Sequence, residues 1–248
     1  MCGIAGTVNL DGAPADGGIV AGMAAAIAHR GPDGQGEWVE GPVGFGHRRL
    51  AIIDLSDRAV QPMVSADERH VIVYNGEIYN YLELRAELED AGHRFRSASD
   101  TEVVLTALAA WGRKALLRFN GMFALAMFDR HARTLMLARD RYGIKPLYIA
   151  RRGTLVAFGS EVKALLAHPA IEAGMDLEAL VEYLTFQNYF SNRTLFRGIE
   201  MLPPGTCEEI RFDTGASTRH RYWDFCFHPV NTRRSQADTV EEFLGLFD

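Results

Sequence analysis

Two apolar runs, residues 122–128 and 134–138, flank the polar segment Asp129-Arg130-His131-Ala132-Arg133. Short apolar runs around a five-residue polar break predict an antiparallel hairpin, and this pattern constrains the fold more than any other feature. Further runs predict strands at 3–9, 43–47, 50–54, 71–74, 147–150 and 155–159. Helical periodicity marks 18–28, 79–91 (with Leu82, Leu84 and Leu88 on its apolar side), 101–111, 160–167 and 177–185. Ser99-Asp100-Thr101-Glu102 forms a capping signal for the third of these, while the Gly- and Pro-rich segment 29–36 reads as a loop. Strands in hairpins interrupted by grouped helices predict an α+β fold with largely antiparallel sheets.

The length of 248 residues suffices for a substantial core. The 26 Lys+Arg against 32 Asp+Glu give a net charge of −6, which argues against nucleic acid as a partner. No stretch reaches the ~18–20 apolar residues of a membrane span, and the N-terminus lacks a signal-peptide pattern. These features predict a cytoplasmic protein with no membrane partner. Three cysteines, Cys2, Cys207 and Cys226, are too few and too scattered for a disulfide framework or a zinc site, and the latter two read as small apolar filler. No histidine spacing suggests a metal ligand set, so no metal is expected.

Near the C-terminal end, the polar stretch 231–236 reads as linker, and Thr239-Val240-Glu241-Glu242 opens a capping box followed by Phe243, Leu244, Leu246 and Phe247. A helix this short is marginal alone. The expected organisation is therefore one domain over 2–212, a linker over 213–238 and the start of a second domain over 239–248. The alternative is a terminal helix folding back on the first domain.

Cys2 is the first chemical candidate, because removal of Met1 would place a thiol beside a free α-amine, a nucleophile with its own base. Position alone is weak evidence, but its company is specific. Met1-Cys2-Gly3-Ile4-Ala5-Gly6, His29-Arg30-Gly31-Pro32-Asp33-Gly34, His47-Arg48-Arg49-Leu50, Asn75-Gly76-Glu77-Ile78-Tyr79-Asn80 and Ser99-Asp100-Thr101-Glu102 occur in this order. Gly121-Met122-Phe123-Ala124, Ala138-Arg139-Asp140-Arg141-Tyr142-Gly143-Ile144-Lys145-Pro146 and Phe158-Gly159-Ser160-Glu161 follow. Over residues 2–210 the chain resembles the class II, N-terminal-nucleophile glutamine amidotransferases, within them the glutamine-hydrolysing asparagine synthetase branch. Sibling branches usually carry a Thr-Arg-Trp-Ala block where this chain has His47-Arg48-Arg49-Leu50.

The resemblance implies a four-layer αββα sandwich of two stacked, largely antiparallel sheets. It also implies Cys2 as nucleophile, with Asn75 and Gly76 as donors to the oxyanion. Seen alone, Asn75-Gly76 is a turn signal. Glutamine's carboxylate calls for the planar fork of an Arg, and Arg49 matches that role. Its ammonium calls for carboxylates, and Glu77 and Asp100 match; for Asp100 the competing reading is a helix N-terminal charge. Arg30 and Met122 match positions near an ammonia tunnel, against the plainer readings of a loop-ordering Arg and a core Met.

The ATP loop of the family's synthetase half, Ser-Gly-Gly-x-Asp-Ser, is absent from the sequence. The expectation is thus a glutaminase needing no cofactor, with ATP and Mg²⁺ belonging to a C-terminal synthetase domain outside this chain. Expected partners are L-glutamine and that domain, and a homodimer is left open. The expected acceptor is aspartate or a related carboxylate, the alternative being an acceptor in peptide, antibiotic or polysaccharide amidation. The reading from a different class is a catalytically silent docking module with the same fold.

Overall fold

The computed structural model describes residues 1–227 and 235–247. The strands run β1 Gly3–Asn9, β2 Gly34–Glu40, β3 Val43–Arg49, β4 Met63–Val64, β5 His70–Ile78, β6 Gly121–Asp129, β7 Thr134–Arg139, β8 Tyr148–Arg152, β9 Leu155–Gly159, β10 Ile199–Met201, β11 Thr206–Arg211 and β12 Ser217–Arg221. The helices are α1 Gly17–Ala25, α2 Tyr81–Asp90, α3 Asp100–Trp111, α4 Val162–Leu166, α5 Leu177–Phe186 and α6 Gln236–Phe247. Among the described residues the strands form two six-stranded sheets, ordered β10-β8-β9-β1-β3-β2 and β12-β11-β7-β6-β5-β4. Every strand pair in them is antiparallel.

Period-two alternation builds the layers. In β5, Val71 and Val73 point between the sheets, where they meet Ile4, Val8, Phe45 and Phe158 of the first sheet. Ile72 and Tyr74 point to the other face, where they pack with Leu84, Leu88, Val104 and Leu108 of α2 and α3. On the far side of the first sheet, Ala5, Ala150 and Ala157 pack with Met23, Ile27, Ala164 and Leu165 around α1 and α4. The order helix, sheet, sheet, helix is the αββα sandwich. The central strands are covered on both faces, which is why small and apolar residues dominate both sides of their buried stretches.

Several local expectations are corrected. The run 50–54 is not a strand: β3 ends at Arg49 and the chain turns into a loop, leaving Ile52 65% and Leu55 74% exposed. Side-chain carboxylates hold this loop instead of a neighbouring strand: Ala51 N donates to Asp33 Oδ2 (3.0 Å), and Asp54 Oδ2 accepts from Ala98 N (2.8 Å). Asn75-Gly76 is not a turn but the middle of β5, opposite Ala124 and Phe123. Leu84 and Leu88 are buried as expected, while Leu82 faces outward. Asp129 pairs with Thr134, so the β6–β7 loop is shorter by one residue than its sequence suggests.

Strand β12 extends the second sheet inside the span expected as linker. The capping box of α6 lies one turn before its expected place. Asp238 N donates to Ser235 Oγ (3.1 Å) and Ser235 N donates to Asp238 Oδ2 (3.2 Å). All of α6 is exposed, and most of the polar stretch 231–236, together with Asp248, lies outside the described residues.

Candidate active site

Cys2 immediately precedes β1, a central strand of its sheet. Its Sγ sits against the backbone of Leu50, accepting from Leu50 N (3.3 Å) and reaching Leu50 O at 3.5 Å. Burial pushes the thiol above its ordinary pKa, and the pull of the Leu50 backbone, the N-terminal charge and Arg49 does not cancel that rise. Beside it opens a cleft of about 150 Å³ lined by Cys2, Arg49, Asn75, Gly76, Glu77, Asp100 and Met122. Residues spread over a hundred positions of sequence thus share one small cavity.

β5 supplies three of these residues through its register. Phe123 N donates to Asp140 Oδ2 (3.1 Å) and Phe123 O accepts from Asp140 N (2.8 Å), so the backbone of Phe123 is turned toward β7. Its opposite residue Gly76 is therefore in a non-hydrogen-bonded pair, with its N–H directed away from β6. On that same edge Tyr74 N is caught by Gln61 Oε1 (2.6 Å) and Ile78 N by Asp100 Oδ2 (3.1 Å). The N–H of Gly76 lies between them, beyond the reach of two-residue β4, and opens onto the cleft. A side chain cannot replace this glycine, because a Cβ there would come within 2.4 Å of Met122 O.

Asn75 is 1% exposed, and its Nδ2 is buried without a hydrogen-bond partner. An unpaired buried amide costs about 1–3 kcal/mol, so a donor kept in this state on the wall of a cleft is poised for a ligand.

Asp100 is the first residue of α3, whose N-cap Ser99 accepts at Oγ from Thr101 N (3.0 Å). Glu102 does not close a capping box; its carboxylate accepts from Arg96 N and Ser97 N instead. Asp100 accepts from the Tyr74 hydroxyl at 2.8 Å. Burial nevertheless lifts its carboxyl above the ordinary range, and the neighbouring negative charge of Glu77 adds to the rise. Two carboxylates share the cleft wall, and among the described residues neither forms a salt bridge with a cation. Arg49, the last residue of β3, is half-buried and donates to Asp54 O.

Arg30 is not in the cleft. It stands behind Cys2, with Nε donating to Cys2 O (3.0 Å) and Nη1 to Glu161 Oε1 (3.0 Å). Met122 does line the cleft. Sequence reasoning passed over Tyr74, Gln61 and Lys145. A tyrosine in a fully buried strand requires a partner for its hydroxyl, which was the available signal for Tyr74. Lys145 is 4% exposed on the cleft wall, its amine pushed below the ordinary pKa by burial and then by Arg30, with Nζ 3.0 Å from Met1 Sδ.

The chain belongs to the glutamine amidotransferase domain family, which residues 1–223 match. It is 40% identical over 240 residues to asparagine synthetase [glutamine-hydrolyzing] 1 of Bacillus subtilis, covering 95% of this chain and 37% of that protein. It is 38% identical over 259 residues to a putative asparagine synthetase [glutamine-hydrolyzing] of Mycobacterium tuberculosis, covering 96% of this chain and 39% of that protein. The chain thus spans well under half the length of these relatives. The fold is shared with glutamine phosphoribosylpyrophosphate amidotransferase of B. subtilis, at a TM-score of 0.66 and 21% identity over 90% of this chain and 49% of that one.

Proposed function

We propose that this chain hydrolyses the side-chain amide of glutamine, with Cys2 as nucleophile once Met1 is removed. The observation that carries the reading is the buried, unpartnered Nδ2 of Asn75 beside the outward-facing N–H of Gly76, on the wall of the cleft that Cys2 lines. These two donors meet the requirement of an oxyanion hole, which must be organised before charge develops. The Cys2 α-amine takes the thiol proton, and Sγ attacks the amide carbon. Collapse of the tetrahedral intermediate breaks the C–N bond, the proton goes to the leaving nitrogen, and ammonia departs. Water then attacks the γ-glutamyl thioester, releasing glutamate and restoring the thiol.

Substrate placement follows from charge. The glutamine ammonium lies between Glu77 and Asp100, supplying the cation they lack, and its carboxylate meets the Arg49 guanidinium. The ammonia is passed to a synthetase domain like those of the longer relatives, which uses ATP and Mg²⁺ to amidate aspartate or a related carboxylate. Met122, on the cleft wall, and Arg30, behind Cys2, belong to the start of that route. The test is glutamate release from glutamine by this chain and by Cys2→Ala, with the N-terminal mass measured on the same samples. Release that vanishes in the variant is the expected result; equal release by both removes Cys2 from the chemistry.

A further inference from the structure

Removal of Met1 leaves Cys2 as the terminal residue, with no preceding peptide to hold it, and terminal residues are poorly ordered unless tied down. The structure ties down its successors firmly. Ile4 N donates to Ser160 Oγ (3.0 Å), and Ile4 O accepts from Ser160 N (2.9 Å). For Cys2 itself the backbone tie is Arg30, through Nε to the carbonyl oxygen. The Arg30 side chain is 9% exposed, and a guanidinium so buried needs a counter-charge to be held in one orientation.

Glu161, the residue after Ser160, provides it. Its Oε1 is 3.0 Å from Arg30 Nη1, and its carboxylate also meets His29 Nε2 (2.8 Å) and Lys163 Nζ (3.1 Å) at the exposed rim. Burial alone would raise this carboxyl, but the hydrogen bonds from Arg30, His29 and Lys163 outweigh it and hold the group below its ordinary value, so it is charged at neutral pH. The backbone of Gly3 passes close to this turn: a Cβ there would lie 2.9 Å from Ile27 Cδ1 and in van der Waals contact with Arg30 Cβ (3.4 Å).

We infer that Glu161 is a positioning residue for the nucleophile: it fixes the Arg30 guanidinium, which fixes the carbonyl of Cys2 and so aims Sγ at the cleft. Neither Glu161 nor Arg30 lines that cleft, so their contribution is to geometry and not to substrate binding. The inference rests on the glutaminase reading for its kinetic form only.

The experiment is a double-mutant cycle with Glu161→Ala, Arg30→Ala and both together, read on glutamate release and on the rate at which iodoacetamide labels Cys2, located by peptide mass. Misplacement of a reacting atom by a fraction of an ångström lowers kcat steeply, so Glu161→Ala is expected to lose about tenfold in kcat with KM within about twofold. The double variant is expected to be no slower than Arg30→Ala, because the two residues act in series. Labelling of Cys2 rises several-fold in each single variant as Sγ leaves its seat on Leu50, and no further in the double. Glu161→Gln, which keeps the volume, carries the test if the alanine variant does not fold, and is expected to show a smaller loss of the same kind. A Glu161 variant with unchanged kcat and labelling, or losses that add in the double variant, overturns the inference. Absence of glutaminase from the unaltered chain defeats the proposed function and leaves the labelling cycle to decide Glu161.

Discussion

Two buried carboxylates in the second sheet and its helices behave in opposite ways. Glu208, on β11, is 1% exposed and accepts from Ser217 Oγ, from Arg151 and from Arg219 Nε (2.7 Å). Burial alone would raise its carboxyl, but these partners reverse the sign and leave it below the ordinary range. Asp100 is 6% exposed and is held by the Tyr74 hydroxyl and the Ile78 N–H, yet burial wins and its carboxyl is raised. The difference is the cation. Glu208 lies between two guanidiniums that Glu200 also binds, joining β8 and β10 of one sheet to β11 and β12 of the other. Asp100 has a second carboxylate, Glu77, as its neighbour on the cleft wall. A completed network is a fastening between sheets; an incomplete one, beside an orphaned Asn75 amide, is a place kept for a ligand.

This contrast can be broken in measurable ways. Asn75→Ala should show the largest effect, a fall in glutaminase kcat on the order of 10²–10³, or about 3–4 kcal/mol of transition-state stabilisation. The same variant should melt no lower than the parent by calorimetry, because it removes a buried donor that had no partner. A substantial drop in Tm with little change in kcat would make Asn75 a structural residue like Glu208.

Glu208→Ala should do the reverse. Removing one partner of a fully buried ion pair costs about 3–5 kcal/mol; here the loss should be about 2–3 kcal/mol in denaturant unfolding, since both guanidiniums keep Glu200 and partial hydration. Glutaminase kcat and KM should stay within about twofold of the parent, since none of the network's residues lines the cleft. A loss of activity at full stability would show that the sheet fastening reaches the cleft.

Asp100→Asn sharpens the sign of the comparison. A carboxyl raised in the folded state stabilises the fold at pH below its unfolded value and gives up that stability as pH rises through its folded value. Asp100→Asn should therefore unfold at higher denaturant than the parent at pH 7, with the gap closing as pH falls below the ordinary carboxyl range. Its KM for glutamine should rise by at least tenfold, from loss of a charge-assisted contact. Glu208 titrates the other way: its contribution is present above the ordinary glutamate value and is lost on acidification through its folded value. An Asp100→Asn variant less stable than the parent at pH 7, with KM unchanged, would place Asp100 among the structural carboxylates.

Much of the site was legible before any coordinates, because matched blocks at Cys2, Arg49, Asn75, Gly76, Glu77 and Asp100 select residue types that glutamine's three polar groups demand. All six line one cleft. Arg30 shows where such reading stops. Its type and place in the Gly-rich segment gave no indication that it would lie behind Cys2 rather than before it, since that depends on how the 28–30 turn packs beneath β1. Of the strands, β1, β3, β5, β6, β7, β8 and β9 contain the alternating or apolar runs that were visible in the sequence, β3, β5 and β8 extending past them into polar residues. The β2 strand, with alternating exposure, and the short β4, β10 and β12 carry little apolar signal and exist because a neighbouring strand offers its hydrogen bonds.

The sequence by itself determined the α+β class, the central strands with the α3 cap at Ser99, and the chemical types gathered around Cys2, since periodicity, capping and functional-group demand are local properties. Only the tertiary structure decided that Asn75-Gly76 continues a strand instead of turning it. A dipeptide with turn propensity is held extended when β6 supplies a full register of partners, and the close approach of Met122 O then makes the missing Cβ of Gly76 a requirement of the strand. Tertiary structure alone also fixed the opposite directions in which the Asp100 and Glu208 carboxyls are shifted, because desolvation and the placing of distant guanidiniums set them, and neither is encoded in the residues beside them.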